Sequence, residues 1–163
     1  MSKSQKLLIF GGLALASFGM LYGLQYAVFI EHQTLDNMGG SLATAFVNAA
    51  ERNTAGAHRS IDMYAATKYN YVRQVDVHSH WIGLGMLMIV LGAVFDRVGF
   101  AERGRIWLAM ALLAGSVIFP LGVILQTVNH SGLIPSGFAI AGSALVTFSL
   151  AVVAWGFARP SNL

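Results

Sequence analysis

The sequence predicts an all-α integral membrane protein: a four-transmembrane-helix bundle with a long extracytoplasmic helical connection between spans 1 and 2. Three observations predict it. Of 163 residues, 56% are hydrophobic and 10% charged; four apolar stretches each approach the ~20 residues that cross a hydrocarbon core of ~30 Å; and small or apolar residues recur at helical spacing. Such a composition excludes an ordinary soluble domain. The whole chain, 1–163, is read as one membrane domain.

Span 1 covers about 7–30, with Ser17, Tyr22, Gln25 and Tyr26 as its only polar members. Lys3 and Lys6 before it, and Ala14-Leu15-Ala16 within it, also fit a signal peptide. The segment is expected to be retained as a span. Spans 2 to 4 cover about 78–97, 105–128 and 134–158.

The connection over 31–77 is expected to contain two helical pieces. A short amphipathic helix follows Ser41, carried by Leu42, Phe46, Ala49 and Ala50, with Gly39-Gly40 as a break before it. From Ser60, read as an N-cap, neither Gly nor Pro occurs before Gly83, which predicts one helix running into span 2 and ending near Arg97. Its length is roughly 57 Å, about half of it outside the bilayer.

Charge sets the orientation. Lys3, Lys6, Arg97, Arg103, Arg105 and Arg159 fall in short segments on one side, which is therefore read as cytoplasmic. Arg52, Arg59, Lys68 and Arg73 are diluted over the long connection among Glu31, Asp36, Glu51, Asp62 and Asp76. The expectation is a multi-pass protein of the inner (cytoplasmic) membrane with both termini cytoplasmic. The basic residues form no stripe, so the pI of about 9.5 does not point to nucleic acid.

Tyr64, Tyr71, His78, Gly85 and Gly92 fall seven apart, as do Gly12, Gly19 and Tyr26, and Gly115, Gly122 and Asn129. A seven-residue repeat predicts left-handed packing, and in lipid the glycines mark protein-facing sides, with Gly19-x-x-x-Gly23 reinforcing span 1. His78 lies on that seam, and His80 is turned about 200° from it. Pro120, mid-span, predicts a packing kink or an opened backbone beside a site.

The chain has no cysteine, which excludes disulfides, c-type haem, thiolate clusters and thiol nucleophiles. All five histidines (His32, His58, His78, His80 and His130) lie on the outer side or at its boundary. Counting along the helices gives two layers roughly 10 Å apart. The deeper holds His78 and Tyr26 among Gly23, Gly122, Gly137 and Ala139; an ionisable group there is a functional-site hypothesis, against the alternative that His78 merely bonds Tyr26 or a carbonyl. The upper holds Glu31, His32, Asp76, Gln126, Asn129 and His130, with His80 nearby. Imidazole with carboxylate suits copper, zinc or iron. Asp76-x-His78-x-His80 cannot aim alternate positions at one ion if helical, and a bis-histidine haem on His78 and His130 is opposed by their depths.

The bland readings stand beside these. Glu31 with Arg73 reads as an interfacial ion pair. Met20, Met86, Met88 and Met110 read as filler rather than axial ligands, and Trp81, Tyr69 and Trp155 as an aromatic belt. Tyr26, Tyr64 and Tyr71 read as packing before electron transfer, and His58 as a residue of an exposed turn. No phosphate loop, G-x-S-x-G or His-Glu-x-x-His is present, and mid-span polar residues for transport are lacking.

Two functions follow as expectations. The first is a small membrane redox or metal protein holding haem b or a transition metal (copper, zinc or iron), with His78, His130 and Tyr26 about the cofactor and His78, His80, His130, His32 and Asp76 as metal ligands. The alternative is a non-catalytic accessory subunit that packs as a homo-oligomer or in a larger membrane complex. A quinone-binding or assembly role takes the remainder.

Overall fold

The computed structural model describes residues 1–129 and 132–159, and every element is helical. α1 spans Lys3–Tyr26, a π-helical turn covers Ala27–Glu31, and α2 spans His32–Ala50. These run on as one rod of 48 residues, roughly 72 Å long. α3 spans Thr54–Val94 and passes into a 3-10 turn at Phe95–Arg97; α4 spans Glu102–Leu125 and α5 Leu133–Ala158. Four helices are long and apolar enough to cross a membrane.

The rod and α3 form an antiparallel hairpin closed by a tight tip. Asn53 caps α3 by accepting from the Gly56 N–H at 3.0 Å, and its own amide donates to Asn48 at 2.7 Å. Arg52 takes a left-handed conformation, φ 58°, to turn the chain. Two expectations are corrected here. Gly39-Gly40 do not break a helix, because both sit mid-helix on exposed faces where the rod gains its order from the opposite side. Ser60 is not an N-cap; it lies inside α3 and donates back to the Gly56 carbonyl at 3.1 Å. His58 is exposed, as expected, but on a helix rather than a turn.

The seam between these rods is a heptad pattern. On α3 it descends from Ser60 through Tyr64, Thr67, Tyr71, Gln74, His78, Trp81, Gly85 and Met88 to Gly92 in alternating steps of four and three, each position buried or half-buried. On α1 it runs through Leu8, Gly12, Leu15, Gly19, Tyr22 and Tyr26. It then takes a step of five to Glu31 and resumes at Thr34, Met38, Ser41, Ala45 and Asn48. The π turn is that step. It absorbs one extra residue, and without it the exposed Gln33 and Gly40 would face α3 instead.

Low on the seam, backbones touch: a Cβ on Gly12 would stand 2.6 Å from the Gly85 carbonyl oxygen. α4 lies across one side of the pair, with Leu113 over Gly11 and the Ala109 and Leu112 cluster against Leu8 and Met88. α5 packs along α4, where Gly122 meets the Ala139 backbone and Gly142 the Phe119 backbone. α4 stays helical through Pro120, which is buried in this contact. Trp81 is 3% exposed and belongs to the core with Val77 and Val123, not to an aromatic belt. Trp155 is exposed and stacks under Arg159 at 4.4 Å.

At the base, Glu102 joins three elements. Its carboxylate accepts from the Ser4 N–H at 2.9 Å and the Ser4 hydroxyl at 3.1 Å, while Arg105 binds it at 2.9 Å and donates to the Asp96 carbonyl at 2.6 Å. A carboxylate at the first turn of α1 also complements the helix dipole.

Candidate functional site

The polar residues of the seam gather where the π turn re-phases the rod. Tyr71 donates to Glu31 at 3.1 Å, and its ring lies 6.4 Å from that of Tyr26, which is 4% exposed. One turn lower the Tyr22 hydroxyl donates to the Gln74 side chain. His78 Nδ1 lies 3.2 Å from the Gln74 carbonyl oxygen. A carbonyl only accepts, so Nδ1 is the donor in this contact. The groups form a ladder from Glu31 to His78, beside a cleft of about 180 Å³ lined by Tyr26, Ile30, Thr34, Thr67, Tyr71 and Gln74.

The hydrogen bond to Glu31 first, then burial and the carboxylate charge, raise the Tyr71 hydroxyl above the usual phenol range. It therefore stays a donor. The expected ion pair of Glu31 with Arg73 is not formed: Glu31 takes Tyr71, while Arg73 lies 3.7 Å from Asp76 and 5.0 Å from the Tyr69 ring centre.

His78 and His80 face different helices, as their spacing predicts. The His78 ring covers Gly23 of α1, where a Cβ would stand 3.2 Å from it. The His80 ring lies 4.6 Å from Phe119 of α4. The small residues expected around His78 separate, since Gly122 and Ala139 meet each other between α4 and α5. His32 has a side chain 87% exposed and pairs with Asp36 at 3.4 Å. Asp76 is one helical turn above His80 on α3. His130 lies outside the described residues. Among the described residues no three His, Asp or Glu side chains gather closely enough to hold a metal ion.

One loose polar end remains on the α4 side. The Gln126 Oε1 atom, seven residues beyond Phe119, is buried with no hydrogen-bond partner among the described residues, as is the Ser116 hydroxyl. The Glu31–Tyr71 and Tyr22–Gln74 bonds were not foreseen from sequence. Their signal is the recurrence of Thr34, Ser41 and Asn48 at seven-residue spacing, one residue out of phase with Gly12, Gly19 and Tyr26.

Compared with protein-family models, curated proteins and solved structures, the chain matches none significantly.

Proposed function

We propose that the chain is a non-catalytic structural subunit of a membrane assembly, a four-helix base in the inner membrane that holds a two-helix stalk outside it. Both termini are then cytoplasmic and the tip at Glu51–Asn53 is extracytoplasmic, following the excess of Lys and Arg near the base. The observation that carries the reading is the divergence of the histidines: His78 is engaged with α1 and the Gln74 carbonyl, His80 with Phe119, and His32 with Asp36. Each serves packing or pairing with a different neighbour, and no two of the three share one. Protein purified from membranes should carry no stoichiometric metal and no haem absorbance, and should migrate as part of a larger species on native gels. One equivalent of either cofactor would overturn the reading.

A second reading rests on a different observation. Asp76 and His80, one turn apart on the side of α3 next to α4, offer a carboxylate and an imidazole, and the buried Gln126 Oε1 at the C-terminal cap of α4 has no hydrogen-bond partner among the described residues. These are donors for a transition metal such as copper, zinc or iron. Under this reading bound metal is lost in His80→Ala and kept in His78→Ala, and His80 takes the role that sequence reasoning gave to His78.

A further inference from the structure

The two sides of the stalk differ in kind. One residue after the seam positions come Leu35, Leu42 and Phe46 on α2 and Ile61, Ala65 and Val72 on α3, all exposed. One residue before them come Gln33, Asn37 and Thr44 on α2 and Arg59, Asn70 and Arg73 on α3, with Ile30, Val47 and Met63 as the large apolar exceptions. A step of one residue turns a side chain by about 100°, and because the helices are antiparallel the same step turns both sets to one side of the pair. α4 identifies the sides. Gly11 meets Leu113 and His80 meets Phe119, and both precede a seam position, so α4 lies on the preceding side. The apolar side is the one that α4 does not cover.

Lipid can cover such a face only over the ~20 residues of a span, whereas the helix Thr54–Arg97 has 44. Under the membrane reading, an apolar face lies beyond that depth, with a groove of about 510 Å³ lined by Ile61, Tyr64, Val72 and the stems of Lys68 and Arg73. We propose that this face is the interface of a homodimer, two copies joined stalk to stalk about a two-fold axis along the bilayer normal.

Symmetry and charge favour a second copy as the occupant. Copies inserted in the same sense can share a two-fold axis only along the normal, which makes the contact isologous. That axis sets α2 of one copy against α3 of the other, antiparallel and at equal height, and gives a four-helix bundle with the pairing sense of the hairpin itself. The Tyr71–Glu31 and Asn53–Asn48 bonds fix the register within each stalk, so Ile61 stands level with Leu42, and Lys68 with Leu35. Lys68, the one cation among these apolar positions, then meets the height of Asp36 on the rim of the second copy and not its own counterpart. At Gly39, on the same face, nothing lies within 4 Å of where a Cβ would stand, which leaves a facing helix room to approach as at Gly12.

The absence of cysteine makes the test clean. Leu42→Cys and Ile61→Cys are placed on separately tagged copies, co-expressed and mildly oxidised in native membranes. A disulfide between the two tags is expected, and none between Thr44→Cys and Ala66→Cys on the polar side. Native mass measurement in detergent should give two copies, with Leu42→Asp shifting the equilibrium about tenfold or more towards one copy and Thr44→Asp leaving it unchanged. Should Leu42→Asp fail to fold, the cysteine pairs decide, since Cys is small and apolar. No link between the tags, equal linking on the polar side, or a different protein trapped at position 61 would each overturn the proposal. It deepens the structural-subunit reading by naming a partner, yet the two fail separately. A cross-linked dimer with stoichiometric haem or metal defeats that reading alone, and an unlinked single copy without either defeats only this one.

Discussion

The lower and upper halves of the α1–α3 pair follow one heptad rule with opposite materials. In the lower half Gly12 and Gly85 let backbones meet, a Cβ on Gly85 standing 2.7 Å from the Ala16 nitrogen. In the upper half Tyr71, Glu31, Tyr22 and Gln74 meet through side-chain hydrogen bonds. Where lipid is the solvent, apolar side chains gain little by leaving it, so close van der Waals approach holds helices together. Where water is near, side chains must both exclude it and satisfy their polar atoms.

Deleting Val28 should have the largest effect on that contrast. The deletion converts the π turn to an α turn and rotates α2 by about 100°, bringing Gln33 and Gly40 to α3 in place of Thr34 and Ser41. Amide-exchange protection over 32–50 should be lost while that of the lower seam survives. Protection retained in both halves would show that the π turn has no phasing role. Gly85→Leu attacks the other half. Its side chain has no room against Ala16 and the Gly12 carbonyl, so unfolding in detergent should cost about 3 kcal/mol or more less than in the parent chain.

Smaller effects sharpen the comparison at the two ends. The Ser4 backbone N–H above all, then the Ser4 hydroxyl and Arg105, hold the Glu102 carboxyl below the usual carboxylate range despite some desolvation. A depressed carboxyl contributes stability above its unfolded-state value and loses it as pH falls through the folded one. Melting temperature should therefore drop on acidification below the ordinary carboxylate range, and Glu102→Gln should flatten that part of the profile. Tyr71→Phe removes the bond to Glu31 and should cost about 1 kcal/mol by denaturant titration. At the tip, Arg52→Gly relieves the left-handed φ of 58° and should raise stability by roughly 1 kcal/mol.

The parts legible in the sequence were those carried by unbroken periodicity. α3 keeps its steps of four and three from Ser60 to Gly92, so its continuity and the opposed directions of His78 and His80 follow from counting. The rod was harder to read because its phase changes. Extrapolating Gly12, Gly19 and Tyr26 leads to Gln33 and Gly40, both exposed, and only Thr34, Ser41 and Asn48 reveal the slip. Gly39-Gly40 carry an intrinsic helix cost of about 1 kcal/mol each, which the seam on the opposite side offsets. Trp81 has the composition of a belt residue, and only its place on the seam shows that it is core. The opposed directions of His78 and His80 were legible but their partners were not, because pairing depends on which residues of α1 and α4 come to lie beside α3.

The Glu102 clamp also has a meaning in time. Its ends, Ser4 and Glu102, are 98 residues apart, whereas both helices of the hairpin lie before Arg97 in the chain. During synthesis the long pair can zip from its tip before α4 exists, since near-neighbour contacts form before distant ones. Glu102 then seals the foot of α1 only when α4 arrives, which makes the clamp a late closure. Chains halted before residue 102 should hold a formed stalk on an unlatched base.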